Sequence, residues 1–277
     1  VDYGGATDSA TPQDWRANLN ISGFAQPGLG AETVALAVSG VATALDDPAA
    51  RMVTFNGDGT LSGIAADAAT EAALGKEIGI GIAGVYKAGQ PVQLAQLRVV
   101  GAALTAALSG QLNRLDFTGD IGLETSSIAP FSGLADRNLA GGLTLKASGT
   151  VKPLTGGFDL TLDGTGRDLK IDDEIADGLL AGDVKLSGRV ARDKTGLTAD
   201  QFRIANEQVQ LLADGSYSST LADFAFNLDL SDLALLSKQA QGKLTVVGTA
   251  KGAEGVIDLD LKASVPTGTL ADRALSN

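Results

Sequence analysis

The chain has 277 residues, contains no cysteine and no histidine, and carries a net charge of −12. Without those two residue types there is no disulfide framework, no thiolate nucleophile and no Ser-His-Asp or Cys-His mechanism. The acidic balance excludes a nucleic-acid partner, whose phosphates Lys and Arg must neutralise, and it opposes docking on an anionic lipid surface.

Hydrophobic residues make up 44% of the chain, yet aromatics only 4%, and 36 glycines accompany them. Small and β-branched apolar residues suit a thin, repetitive β interior better than a bulky globular core. No segment reaches the ~18–20 apolar residues of a membrane span; the best stretch, 34–45, is short and includes Ser39 and Thr43. The start, Val1-Asp2-Tyr3, is neither an initiator Met nor a basic signal region. The chain therefore reads as an internal piece of a longer protein.

Taken in chain order, residues 1–20 around Asp14-Trp15-Arg16 read as a truncated strand or a frayed terminus. From about residue 33 onward, period-two alternation predicts strands with one dry and one wet face. Val34-Leu36-Val38 and Ile78-Ile80-Ile82 begin the series, separated by the turn signals Asn56-Gly57 and Asp58-Gly59. Leu115, Phe117, Ile121 and Leu123 share one face, opposite Asp116, Thr118, Asp120 and Glu124. Leu143-Leu145-Ala147 precedes the turn Thr155-Gly156-Gly157, after which Phe158, Leu160 and Leu162 alternate with Asp159, Thr161 and Asp163. Val184-Leu186 and the turn Asp214-Gly215 come next, then Phe224, Phe226, Leu228 and Leu230. Leu244-Val246 and the run Leu259, Leu261, Ala263 and Val265 complete the strands. This is antiparallel patterning. Four helices are predicted at 67–74, 127–134, 173–181 and 231–241, opening at Asp67, Ser127, Asp173 and Ser231, with a Gly beyond each end.

An internal echo runs at an offset of 105 residues: Leu97-Arg98-Val99 matches Phe202-Arg203-Ile204, Gly110 matches Gly215, and Leu123-Glu124 matches Leu228-Asp229. Residues 55–150 and 158–250 thus read as two copies of one unit within a single continuous β region covering 1–277.

Motifs with chemical promise have plainer readings. Gly57-Asp58-Gly59 and Gly164-Thr165-Gly166 lack the strand-to-helix context of phosphate loops and read as hairpin turns. Asp168, Asp172, Asp173, Glu174 and Asp177 lack calcium-loop spacing, and Asp172 to Glu174 read as helix N-terminal acids. Arg98, Arg137, Arg189, Arg192 and Arg203 read as dispersed surface charges. Thinly spread aromatics offer no sugar platform for a carboxylate glycosidase on a β-helix. No catalytic, cofactor or metal residue is expected.

Certain strings resemble a known family. They are Ile128-Ala129-Pro130-Phe131-Ser132-Gly133-Leu134-Ala135, then Leu139-Ala140-Gly141-Gly142-Leu143-Thr144-Leu145, Gly157-Phe158-Asp159-Leu160, Asp168-Leu169-Lys170-Ile171, Leu179-Leu180-Ala181-Gly182, Thr195-Gly196-Leu197 and Leu230-Ser231-Asp232-Leu233. The sequence resembles the middle of TamB-type proteins of the AsmA-like family, inner-membrane components of the translocation and assembly module, best over about 120–277. The resemblance implies an all-β, elongated antiparallel sheet curled into an open trough (a β-taco), with a few short helices. It implies a periplasmic position, tethered to the inner membrane through an N-terminal segment outside this chain. A C-terminal domain outside this chain would engage an outer-membrane barrel of the TamA type. The implied function is outer-membrane protein (autotransporter) secretion and assembly, phospholipid transport, or both.

On this reading acyl chains or nascent outer-membrane β-strands would lie along a groove lined by Leu115, Phe117, Ile121, Leu123, Phe158, Leu160, Leu162, Phe224, Phe226, Leu228, Leu259 and Leu261. The rival readings are a tandem β-sandwich adhesin or structural surface protein, with units near the ~100 residues of an immunoglobulin-like domain, and an enzymatic β-helix.

Overall fold

Glycine placement, more than turn chemistry, governs how these strands pair. The computed structural model describes residues 2–3, 11–218, 221–253, 256–271 and 273–276. The chain divides into two units, 1–136 and 137–277. It is all-β and antiparallel, with a few short helices, and the sheet is not closed into a barrel.

In the first unit the strands follow one another as a meander: β1 (Asp2–Tyr3), β2 (Gln13–Gln26), β3 (Leu29–Thr43), β4 (Met52–Ala66), β5 (Glu77–Lys87), β6 (Val92–Val100), β7 (Thr105–Asn113) and β8 (Asp116–Thr125). Helix α1 (Ala68–Leu74) joins β4 to β5. Its N-cap is Asp67, whose carboxylate accepts from the backbone N–H of Ala69 and Thr70. A 3-10 turn (Ala129–Phe131) runs into α2 (Ser132–Ala135), which packs against α1. The residue 14–16 region belongs to β2; residues 4–10 of the same stretch lie outside the described residues.

The second unit repeats the plan with β9 (Ala140–Lys152), β10 (Gly157–Lys170), α3 (Glu174–Leu179), β11 (Asp183–Arg192), β12 (Leu197–Ala205), β13 (Val209–Tyr217) and β14 (Leu221–Leu230). β14 then pairs with β16 (Leu244–Ala253), and β16 with β17 (Val256–Ser264). A separate small sheet joins β15 (Ala240–Gly242), β18 (Thr267–Leu270) and β19 (Arg273–Ser276).

Elements recur at the spacing of the sequence echo. β4 begins at 52 and β10 at 157; β6 begins at 92 and β12 at 197; β8 begins at 116 and β14 at 221. Irregularities recur with them. The β6–β7 register slips between Leu94 and Leu97, and the β12–β13 register between Ala199 and Phe202. Gly110 and Gly215 share a backbone φ of +149° and +148° that L side chains rarely adopt. A Cβ on Gly110 would meet the Thr118 carbonyl oxygen, and one on Gly215 that of Asp223.

Several expected turns are strand interiors. Asn56-Gly57-Asp58-Gly59 lies within β4, Gly164-Thr165-Gly166 within β10 and Asp214-Gly215 within β13. Gly57, Gly59, Gly164 and Gly215 face bulky cross-strand neighbours, while Gly166 makes room for Leu169 of its own strand. A Cβ on Gly57 would lie 2.9 Å from Val38 Cγ2, and one on Gly164 3.0 Å from Leu145 Cδ1. They mark close packing on a pleated surface.

The helix expected at 231–241 is another correction: only a 3-10 turn forms at Leu233–Leu235, and Ala240–Gly242 is the strand β15. Asp232 rather than Ser231 supplies the cap, accepting from Ala234 N–H at 3.0 Å and from Gly242 N–H at 3.0 Å. The same carboxylate thus opens the turn and anchors the strand that follows. Between 127 and 134, the expected single helix is divided into the 3-10 turn and α2, and α2 ends on left-handed Asp136 instead of a glycine.

These environments set opposite outcomes for two alanine substitutions. Gly215→Ala forces a strained φ and a backbone clash, and should destabilise the fold by about 1–3 kcal/mol. Gly178→Ala, in α3 with open space around it, should stabilise by roughly 0.5–1 kcal/mol. Urea unfolding of the two variants beside the parent checks both signs.

Candidate functional site

The antiparallel register converts the alternating sequence into apolar rows. Directly opposed residues point to the same face. In the second unit one row runs Leu145, Gly164, Leu186, Ile204, Leu211, Leu228, Val246 and Ala263. A parallel row runs Gly149, Leu160, Val190, Ala199, Gly215, Phe224, Ala250 and Leu259. In the first unit Leu36, Gly59, Ile80, Val99, Ala106 and Leu123 form one row, beside Val38, Gly57, Ile82, Leu97, Leu108 and Ile121.

Large side chains in these rows lie over glycines of the next strand. Phe226 covers Gly248, where an added Cβ would sit 2.7 Å from its ring, and Leu261 covers the same glycine from the other side at 2.6 Å. Trp15 lies over Gly40 and donates its indole N–H to Thr54 O at 3.0 Å. Large on small lets each side chain bury part of its surface within a single layer.

The result is a face that is half-buried, not sealed. Leu160, Leu162, Phe224, Phe226, Leu228, Ile121 and Leu123 are all of intermediate exposure. Among the described residues, Leu230 is the large side chain that is fully buried. On the edge strand β17, Leu259 and Leu261 are 63% and 52% exposed.

Of the residues expected to line a groove, the structure brings Phe158, Leu160, Leu162, Phe224, Phe226, Leu228, Leu259 and Leu261 onto one face of the second unit. Phe117, Ile121 and Leu123 lie on the corresponding face of the first, with Phe117 buried. Leu115 is the exception. It sits in the β7–β8 turn, 54% exposed, beside Arg114 at a positive φ of 56°. Alternation carried through the turn masked the reversal.

The opposite face is polar and cross-linked. Arg189 donates to both carboxylate oxygens of Asp159, at 2.7 and 2.6 Å. This bidentate hydrogen bond holds the Asp159 carboxyl below its ordinary pKa. Thr245 donates to Asp229 at 2.6 Å, and Lys251 approaches Asp223 at 3.6 Å.

The acidic cluster near α3 is committed to backbone structure. Asp173 accepts from Ala176 N–H, Asp177 from Ile171 N–H at 2.7 Å, and Asp172 from the Asn138 side chain at 3.2 Å. No group of His, Cys, Asp or Glu suited to a metal ion occurs among the described residues. A recess at the hairpin ends is lined by Lys152, Arg192 and Lys194 together with Asp159 and Asp193, and Arg192 stands opposite Phe158 in the ladder.

Together the fold and face define, in each unit, an antiparallel meander with a half-buried apolar face. Comparison with family models, with curated proteins and with solved structures finds no match.

The Asp159–Arg189 pair yields a pH test. A depressed folded pKa contributes stability above the ordinary carboxylate range, lost as pH falls through the folded value. In Arg189→Gln the Asp159 carboxyl carbon should therefore titrate at higher pH than in the parent, by NMR. The stability difference between the two proteins should shrink as pH drops below the carboxylate range.

Proposed function

We propose that the apolar face is a non-enzymatic carrier surface for an extended apolar guest, with phospholipid acyl chains as the first candidate and nascent outer-membrane β-strands as the second. What carries the reading is the half-buried state of a face whose apolar rows cross every strand of the second unit's main ladder. A face destined only for a protein core is sealed by a second layer, whereas contiguous exposed apolar surface serves binding. Covering it with an acyl chain stabilises by roughly 25 cal/mol per Å² without directional contacts, which suits a guest that must slide.

The resemblance of the sequence to TamB-type AsmA-like proteins supports the same reading. The proposal accordingly places the protein in the periplasm, within an envelope translocation and assembly machine. Its partner there would be a TamA-type outer-membrane barrel, and its task protein secretion and assembly, lipid transport, or both.

The adhesin alternative requires β-sandwiches, whose strands divide between two sheets with Greek-key connections. Consecutive pairing of β2 through β8, and of β9 through β14, speaks against it.

Leu259→Asp with Leu261→Asp tests the role of the face: both side chains are more than half exposed, and urea unfolding of the variant separates lost uptake from the loss of the Leu261 cover over Gly248. Titration with a fluorescent fatty acid should show uptake by the parent and about tenfold weaker uptake by the double variant. Absence of uptake by the parent, together with absence of lipid in the purified protein, sinks the lipid form of the proposal.

A further inference from the structure

The apolar face of the first unit changes character toward one end. In the row of Leu36, Gly59 and Ile80, and in the next of Val38, Gly57 and Ile82, side chains are aliphatic or absent. One row further, Trp15 lies opposite Gly40 and Phe55 opposite Gly84. The row after that runs Gln13, Ala42, Val53 and Tyr86. Arg51 stands two residues beyond Val53, and its carbonyl still accepts from Ala88 N–H at 2.9 Å. Strand alternation therefore carries its side chain to the same face.

Two polar groups in these last rows are buried and unsatisfied. Gln13 is 7% exposed, and its Oε1 has no hydrogen-bond partner among the described residues. Arg51 Nε is likewise shielded from solvent and without a partner, although Nη2 donates to Leu45 O at 2.7 Å. No carboxylate pairs with Arg51 among the described residues. Asp46 and Asp47, in the loop before it, are exposed, and Asp47 accepts from Ala49 N–H. The neighbouring charges Asp14 and Lys87 alternate onto the polar face. A guanidinium drawn out of water with an open N–H and no counter-ion costs free energy that a bound anion recovers.

We infer that this end of the face holds the anionic head of an acyl guest, with Arg51 as its charged donor and the tail running inward past Trp15 and Phe55. The inference rests on the carrier reading above and adds a direction to it, head at the rim and tail toward the aliphatic rows. Gln13 Oε1 is an acceptor for a hydroxyl of the head. From Arg51 to Leu61 the strand runs about 33 Å, enough for an extended stearoyl tail. A fatty-acid carboxylate and a phosphate headgroup present the same chemistry to Arg51. The chain's net charge of −12 opposes any anion, so a preference for a charged acyl guest must arise at a local cation.

Trp15 is the only tryptophan in the chain, so its fluorescence reports on this end. The probes are stearate with a nitroxide quencher near the carboxylate, stearate with the quencher near the methyl end, and the methyl ester of the first. Each is titrated into the parent, Arg51→Gln and Arg51→Lys. Arg51 also tethers the loop at Leu45, so urea unfolding of each variant accompanies the titration, and Arg51→Lys keeps the charge.

In the parent the carboxylate-end label should quench more strongly than the methyl-end label, and the acid should bind about tenfold more tightly than the ester. Arg51→Gln should bind acid and ester alike, while Arg51→Lys keeps the preference. Displacement of the label by lysophosphatidylglycerol identifies a phosphate head as the natural guest; displacement by unlabelled stearate alone identifies a carboxylate. Equal binding of acid and ester by the parent, a preserved preference in Arg51→Gln, or stronger quenching from the methyl end overturns the inference. Unquenched Trp15 in a parent that takes up fatty acid elsewhere also overturns it and leaves the carrier reading standing. A parent that takes up neither acid nor ester removes both.

Discussion

Large side chains lying over cross-strand glycines are the interaction on which the rest of this structure depends. An antiparallel ladder fixes the backbone hydrogen bonds, but it does not by itself decide what becomes of the apolar face. Here Phe226 and Leu261 over Gly248, Phe55 over Gly84 and Trp15 over Gly40 lay bulky groups flat on neighbouring strands. Each glycine gives up conformational freedom and gains a covering side chain. Summed over the rows, this buries apolar surface within one layer, so folding does not rest on sealing the face beneath a second sheet.

The functional reading grows from that economy. A face stabilised within its own layer can stay half-open and still belong to a folded protein. Low aromatic content works in the same direction, because Ala, Val, Leu and Ile make a surface of shallow relief. The polar face answers a different need. Ion pairs such as Asp159–Arg189 cross the strands there, so charged groups hydrate the side of the sheet opposite the apolar rows. The proposed carrier role and the polar cross-links thus occupy opposite sides of the same strands.

Much of the fold was legible in the sequence, for a physical reason. Period-two alternation maps directly onto a sheet with two unlike faces, so the rows containing Leu160, Leu228 and Leu259 followed from counting. Capping chemistry was equally readable at Asp67 and Asp173, where a carboxylate accepts from the first turn. Glycine misled. Asn56-Gly57-Asp58-Gly59 has the composition of a turn, yet its glycines exist to admit Val38 and Leu36 from the adjacent strand. Whether a glycine bends the chain or makes room is decided by its neighbours across the ladder, which no local window contains. Leu115 failed in the reverse sense, since Arg114-Leu115 turns the chain without glycine or proline while the alternation runs on.

The absence of native cysteine makes the central claim directly measurable. Leu228→Cys places a single thiol on the apolar face, and Asn227→Cys places one on the polar face one residue away. Both are treated with a water-soluble maleimide, with and without bound fatty acid. The account predicts that the thiol at 228 reacts in the empty protein and is shielded at least several-fold by the guest, while the thiol at 227 reacts alike in both states. A thiol at 228 that is inert without any guest, or equal reactivity at 228 with and without it, would contradict an apolar face that stays open to receive one.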